Sequence, residues 1–164
     1  MLLVAIAGPA AAQEQPLVPP EGARPMSAVE LHMIYRNKSW QWPQGAGLFQ
    51  DADRRFTAVA LAGDESSWAQ GRWILSNRGL LCMQADWHDA TGVYPDRTCF
   101  RHVIFDRTIY QRKEPDGDWY VFKNAARVDT DEFYRLVSDD LVSTDFELLS
   151  TSATGHPSSS GSDQ

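Results

Sequence analysis

A series of short aromatic and β-branched runs follows Ser39, and no gap between them is long enough to hold a crossover helix. Parallel neighbours need a return connection of about a dozen residues or more, usually helical, so these runs are expected to pair as antiparallel strands. The runs are Trp40–Trp42, Leu48–Phe49, Phe56–Leu61, Trp68–Leu75, Leu80–Trp87, Thr98–Phe105, Ile109–Lys113 and Trp119–Lys123. Gly45, Gly47, the Asp51–Arg54 cluster, Ser76-Asn77-Arg78-Gly79 and Glu114-Pro115-Asp116-Gly117 punctuate them as turn signals. The pattern predicts a mainly β fold: an antiparallel meander of seven or eight strands, curled into a barrel-like sheet or folded as a sandwich.

Both faces of the central hairpin carry apolar groups. Pairing Leu75 with Leu80 would set Trp73 opposite Cys82 on one face, with Ile74, Leu81, Met83 and Trp87 on the other. Ahead of the strands, Ser27-Ala28-Val29-Glu30 is a capping box, which starts a helix over Ala28–Asn37. Its apolar side runs through Val29 and Met33, widened by Leu31, Ile34 and Tyr35, and is expected to pack on one side of the sheet. After Lys123 the pattern weakens. Asp131–Val137 reads as one short acidic helix, and Leu141–Leu149 as a last strand or a docked segment.

The chain ends divide differently. Residues 1–12 (MLLVAIAGPAAA) are apolar and close on Ala10 and Ala12, the small-residue pattern of a signal-peptide cleavage site. The segment lacks a basic start, so it reads as a truncated signal peptide whose true start lies upstream. Residues 13–25 form a Pro-rich linker, 26–149 a single β-rich domain, and 150–164 (STSATGHPSSSGSDQ) a disordered tail. Cys82 and Cys99 are the two cysteines, and a pair in an exported chain is expected to form a disulfide. Two buried free thiols are the alternative.

Charge narrows the partners. Fifteen basic against 22 acidic residues leave a net −7, which disfavours binding to a nucleic-acid backbone. No apolar run reaches the length of a bilayer span, so no transmembrane helix is expected. The sequence shows no nucleophile elbow, phosphate loop, dinucleotide fingerprint or zinc-protease motif, and implies no metal and no cofactor.

Two side-chain groups remain as candidate sites. Six tryptophans are present, and Trp40 and Trp42 share one face of an extended segment; they are the first choice for an aromatic ligand surface. Core and hairpin packing is the plainer use of such residues. Asp86 and His88, with His102, form the one group resembling a catalytic cluster, in which a histidine beside a carboxylate serves as general base. The plainer alternative is a solvated loop after a strand. Across the Pro115 turn, Arg112 comes within reach of an aromatic ring, or forms an ordinary sheet-surface pair.

Tyr35–Trp42 (YRNKSWQW) with Gly45–Phe49 (GAGLF) resembles the opening of the domain of unknown function 995 family. So do Gly71–Trp73, Gly79–Cys82, Cys99–His102, Ile109–Arg112 and Trp119–Lys123, in the same order and spacing over about Ser27–Lys123. The resemblance implies a bacterial, mainly alphaproteobacterial, exported protein, and carries over no reaction and no catalytic residue. Together these features point to an exported (periplasmic or secreted) β-rich module that binds a small ligand or an envelope protein. The alternative is a small secreted hydrolase using Asp86, His88 and His102.

Overall fold

The computed structural model describes residues 16–154, so the expected signal peptide over 1–12 lies outside the described residues. In chain order the elements are β1 (Arg24–Pro25), α1 (Ala28–Tyr35), β2 (Lys38–Trp42), β3 (Gly45–Phe49), β4 (Arg55–Ala60), β5 (Ser67–Leu75) and β6 (Leu80–His88). There follow β7 (Val93–Phe105), β8 (Thr108–Lys113), β9 (Tyr120–Lys123), β10 (Leu136–Val137) and α2 (Ser143–Thr154). All strand pairs are antiparallel. Strands β2 to β9 run as one unbroken meander, β10 adds to β2, and β1 pairs with β7 beyond the end of β6.

The sheet is a half-barrel rather than a sandwich. Trp40 on β2 and Phe100 on β7 are five strands apart along the sheet, about 24 Å if it were flat. Their ring centroids lie 5.0 Å apart. The sheet therefore curls until its distant strands meet. Inward side chains build the main core, including Phe49, Phe56, Trp73, Leu81 and Phe122. A 3-10 turn over Glu132–Arg135 follows β9 and leads directly into β10 on β2, so the chain crosses from one end of the sheet to the other. The sequence pattern predicts a single helix over Asp131–Val137 here. Instead, its last two residues extend to pair with Ser39 and Trp40.

A second, smaller core covers the outer face. Val142, Phe146 and Leu149 from the α2 region pack on Ala46, Leu48, Val59 and Trp68. Asp140 starts this helix: its carboxylate accepts hydrogen bonds from the Val142 and Ser143 backbone N–H groups at 3.0 and 2.9 Å. The docked segment after Leu141 is thus helical rather than a strand, and it reaches Thr154, five residues into the tail expected over 150–164.

Two finer expectations change. In α1 the capping box forms as read, with Ser27 Oγ accepting from Glu30 N–H and Glu30 accepting from Ser27 N–H. The buried face, however, is Leu31 and Tyr35, while Val29 and Met33 are 71% and 59% exposed. The helix also stops at Tyr35, because Asn37 adopts a left-handed backbone (φ 53°) to donate its N–H to Phe49 at the end of β3.

In the central hairpin Leu75 pairs with Leu81, not Leu80, so Trp73 faces Met83 and Ile74 faces Cys82. The cause is the turn. Ser76 and Leu80 still pair, and Gly79 (φ 77°) completes a three-residue loop whose glycine takes the left-handed position. That one-residue slip moves Trp73 to the core face and Ile74 to the outer one.

Candidate functional site

Strand alternation decides which side chains meet. On β6, residues 81, 83, 85 and 87 point inward and 82, 84, 86 and 88 outward; on β7, Phe100 and His102 point inward and Cys99 outward. Cys82 and Cys99 are directly opposite, with Cα atoms 4.0 Å apart, and form the disulfide on the outer face.

The concave face holds a cavity of about 550 Å³. Its walls are Trp40 and Trp42 from β2, Phe56 from β4, Trp87 and Met83 from β6, and Phe100 from β7. Trp40 and Trp42 do share a face, and that face lines the hollow. Trp40 is largely buried, and its Nε1–H donates to Glu132 Oε1 at 2.8 Å. Trp42 has room because β3 presents glycine here. A Cβ at Gly45 would stand 2.7 Å from Trp42 Nε1, and one at Gly47 2.7 Å from the Phe56 ring. The Gly45-Ala46-Gly47 segment thus clears space for two aromatic rings against bare backbone.

Polar groups converge on the same hollow: Asp96, Thr98, Lys113, Tyr120 and Glu132. Behind them runs a buried hydrogen-bonded chain. Tyr120 O–H donates to Gln111 Oε1, and the Gln111 amide donates to Tyr35 Oη at 2.9 Å. Tyr35 Oη lies 2.8 Å from His102 Nε2, and His102 Nδ1 lies 3.2 Å from the Gly79 carbonyl. Burial drives the His102 pKa down to about 4, so the ring is neutral. Burial, and secondarily the Glu132 charge, holds the Tyr120 hydroxyl well above the usual tyrosine range.

The residues of the hydrolase alternative are not brought together. His102 is fully buried inside the half-barrel, whereas Asp86 and His88 lie on the outer face of β6. His88 stacks on Trp68, with ring centroids 3.8 Å apart and planes 4° from parallel. Asp89 is taken up by its own turn, accepting from Thr91 and Gly92, and those bonds lower its pKa. Among the described residues no group of three or more His, Cys, Asp or Glu side chains is placed to hold a metal ion. The outer face has its own hollow, of about 750 Å³, between α2 and the 89–93 turn. Its rings are Trp68, His88 and Phe146 and its charged group is Asp89, already bound within its own turn, whereas the concave face brings together six aromatic rings with Asp96, Lys113 and Glu132. Arg112 does lie over an aromatic ring, its guanidinium 4.9 Å from the centroid of Trp119.

Of the cavity residues, sequence reasoning singled out Trp40 and Trp42 and missed Phe56, Met83, Trp87, Asp96, Phe100, Tyr120 and Glu132. The signal for part of the set was the cysteine pair. Once Cys82 is set opposite Cys99, alternation puts Met83, Trp87, Asp96, Phe100 and His102 on the other face of the sheet. The same count separates His102 from His88.

The fold and this hollow define a small antiparallel half-barrel domain, linked by one disulfide, with a tryptophan-lined concave face. The chain belongs to the family described as Protein of unknown function (DUF995), whose model matches residues 1–142. The match ends just before α2. No match was found among the curated proteins or among the solved structures.

Proposed function

We propose that this protein is a non-enzymatic, exported binding module of the bacterial envelope, whose concave face receives a small ligand. The observation that carries this reading is the cavity of about 550 Å³ walled by Trp40, Trp42, Trp87, Phe56 and Phe100. Its volume falls in the range of small-molecule sites, and its lining combines apolar rings with a few convergent polar groups. The Cys82–Cys99 disulfide supports export, because such links persist in oxidising compartments. The separation of Asp86 and His88 from His102 leaves the hydrolase alternative without support.

Indole fluorescence tests the binding reading, since three of the six tryptophans line the hollow. Titration with a panel of small apolar molecules is expected to shift or quench the emission. Trp42→Ala and Trp87→Ala are expected to weaken that binding about tenfold or more. Full retention of every association in both variants would remove the concave face as the site. Export is tested by the mass of protein recovered from the periplasm. The expected mature chain begins at Gln13 and gains the mass of two hydrogens on reduction.

A further inference from the structure

The hydrogen-bonded chain behind the cavity has a direction, and that direction constrains the ligand. The Gly79 carbonyl can only accept, so the proton of neutral His102 is on Nδ1 and its Nε2 is an acceptor. Its one lone pair accepts from Tyr35 O–H, and the Gln111 amide nitrogen, a donor, lies against Tyr35 Oη and Nε2. Gln111 therefore turns its carbonyl oxygen to Tyr120, and the Tyr120 proton is spent on it. Tyr120 offers the cavity acceptor capacity alone.

Of the remaining lining, Gln41 offers both donors and an acceptor from an exposed position, and the other hydrogen-bonding groups follow the same bias. Thr98 O–H is committed to Asp96 at 2.8 Å, and Trp40 N–H to Glu132 at 2.8 Å. Each carboxylate has about four acceptor positions, so both keep lone pairs in surplus. Two cations stand nearby. Arg135 holds Glu132 at 3.2 Å from a half-exposed position, and Lys113 lines the rim from an exposed one. Exposed pairs of this kind contribute little.

We propose that the cavity selects a ligand carrying an ammonium group on an apolar body, with the ammonium at Tyr120 and Glu132, the body against Trp42 and Trp87, and Asp96 adding its negative charge from farther along β7. This rests on the binding reading above and specifies the chemistry of its ligand.

Three probes with one body and different heads test it: phenylbutylammonium, phenylbutanol and phenylbutanoate, titrated by calorimetry and by indole fluorescence. The ammonium is expected to bind about tenfold or more tighter than the carboxylate. Asp96→Asn and Glu132→Gln are each expected to narrow that ratio. Tyr120→Phe is expected to weaken ammonium binding, and Lys113→Gln to strengthen it. Asp96 and Lys113 are exposed, so their variants keep the fold even where Glu132→Gln disturbs Trp40. Equal affinity for the three heads, or preference for the carboxylate, would overturn the ammonium proposal while leaving the binding site intact. Absence of binding by all three up to about 10 mM would count against the site itself and this proposal with it.

Discussion

His102 occupies the centre of the half-barrel, fully buried, with hydrogen bonds to Tyr35, Gln111 and Gly79. Burial penalises its charged form and lowers its pKa from 6.5 to about 4. The unfolded chain has no such penalty and takes up a proton near pH 6.5. Between these two values the unfolded state binds more protons, so acid favours unfolding and stability rises with pH. The contribution is fully present above pH 6.5 and is lost as the pH falls towards 4. Its size is on the order of 3 kcal/mol. The carboxylates held low in the fold act at a lower pH. Glu30, lowered to about 2 chiefly by its hydrogen bond from Arg24, loses its part below about 4.5. Denaturant midpoints measured from pH 6.5 to 4.5 are therefore expected to fall in the native protein. They should stay nearly flat in His102→Gln, which starts less stable at neutral pH. A variant with the same slope as the native chain would show that another group carries the effect.

At the scale of elements, the strands were legible because aromatic and β-branched residues cluster between turn signals. Each observed strand of the meander overlaps one of the runs read from the sequence. The hairpin register was not legible. It depends on whether Ser76 belongs to the turn or to the strand, and Gly79 in its left-handed conformation decides this through backbone geometry rather than hydrophobicity. Nor was the buried face of α1, since Ala28–Tyr35 (AVELHMIY) is apolar nearly all round and its period does not choose a side. The Leu31–Tyr35 face wins because Tyr35 joins the polar chain to His102 and the ring cluster of Phe49 and Phe122. The cysteine pairing was legible from number alone, and its place in the β6–β7 hairpin gives it a testable meaning. The link spans 17 positions, so removing it is expected to cost about 3 kcal/mol by freeing the unfolded chain. Replacing both cysteines by serine and measuring unfolding in denaturant checks this. Affinity for cavity ligands should be unchanged in that variant, since the sulfurs lie on the opposite face of the sheet from Trp87 and Phe100.

On the scale of the whole molecule, one sheet separates two cores with different work. The inner one continues into the cavity, so the rings that stabilise the curl also form its wall: Trp40 packs on Phe100 and Tyr35 while facing the hollow. The outer one is closed by α2, where Phe146 meets Trp68 edge-on at 5.2 Å and Arg55 lies 5.8 Å over its ring. This second core explains why β4 is buried on both faces, with Phe56 and Ala58 inward and Thr57 and Val59 outward. The strands between the two cores are therefore loaded from both sides, yet the ligand would touch one side alone. Stability and binding should then separate by face. Phe146→Ala strips a half-buried ring from the outer core and is expected to cost about 2 kcal/mol. It should also shift Trp68 emission to longer wavelength as that indole meets water. Ammonium-probe affinity, in contrast, should stay within about twofold of the native value, because β3, β4 and β5 stand between Phe146 and the hollow. A parallel loss of affinity in Phe146→Ala would mean that α2 sets the curvature of the half-barrel, and that the two faces act as one mechanical unit.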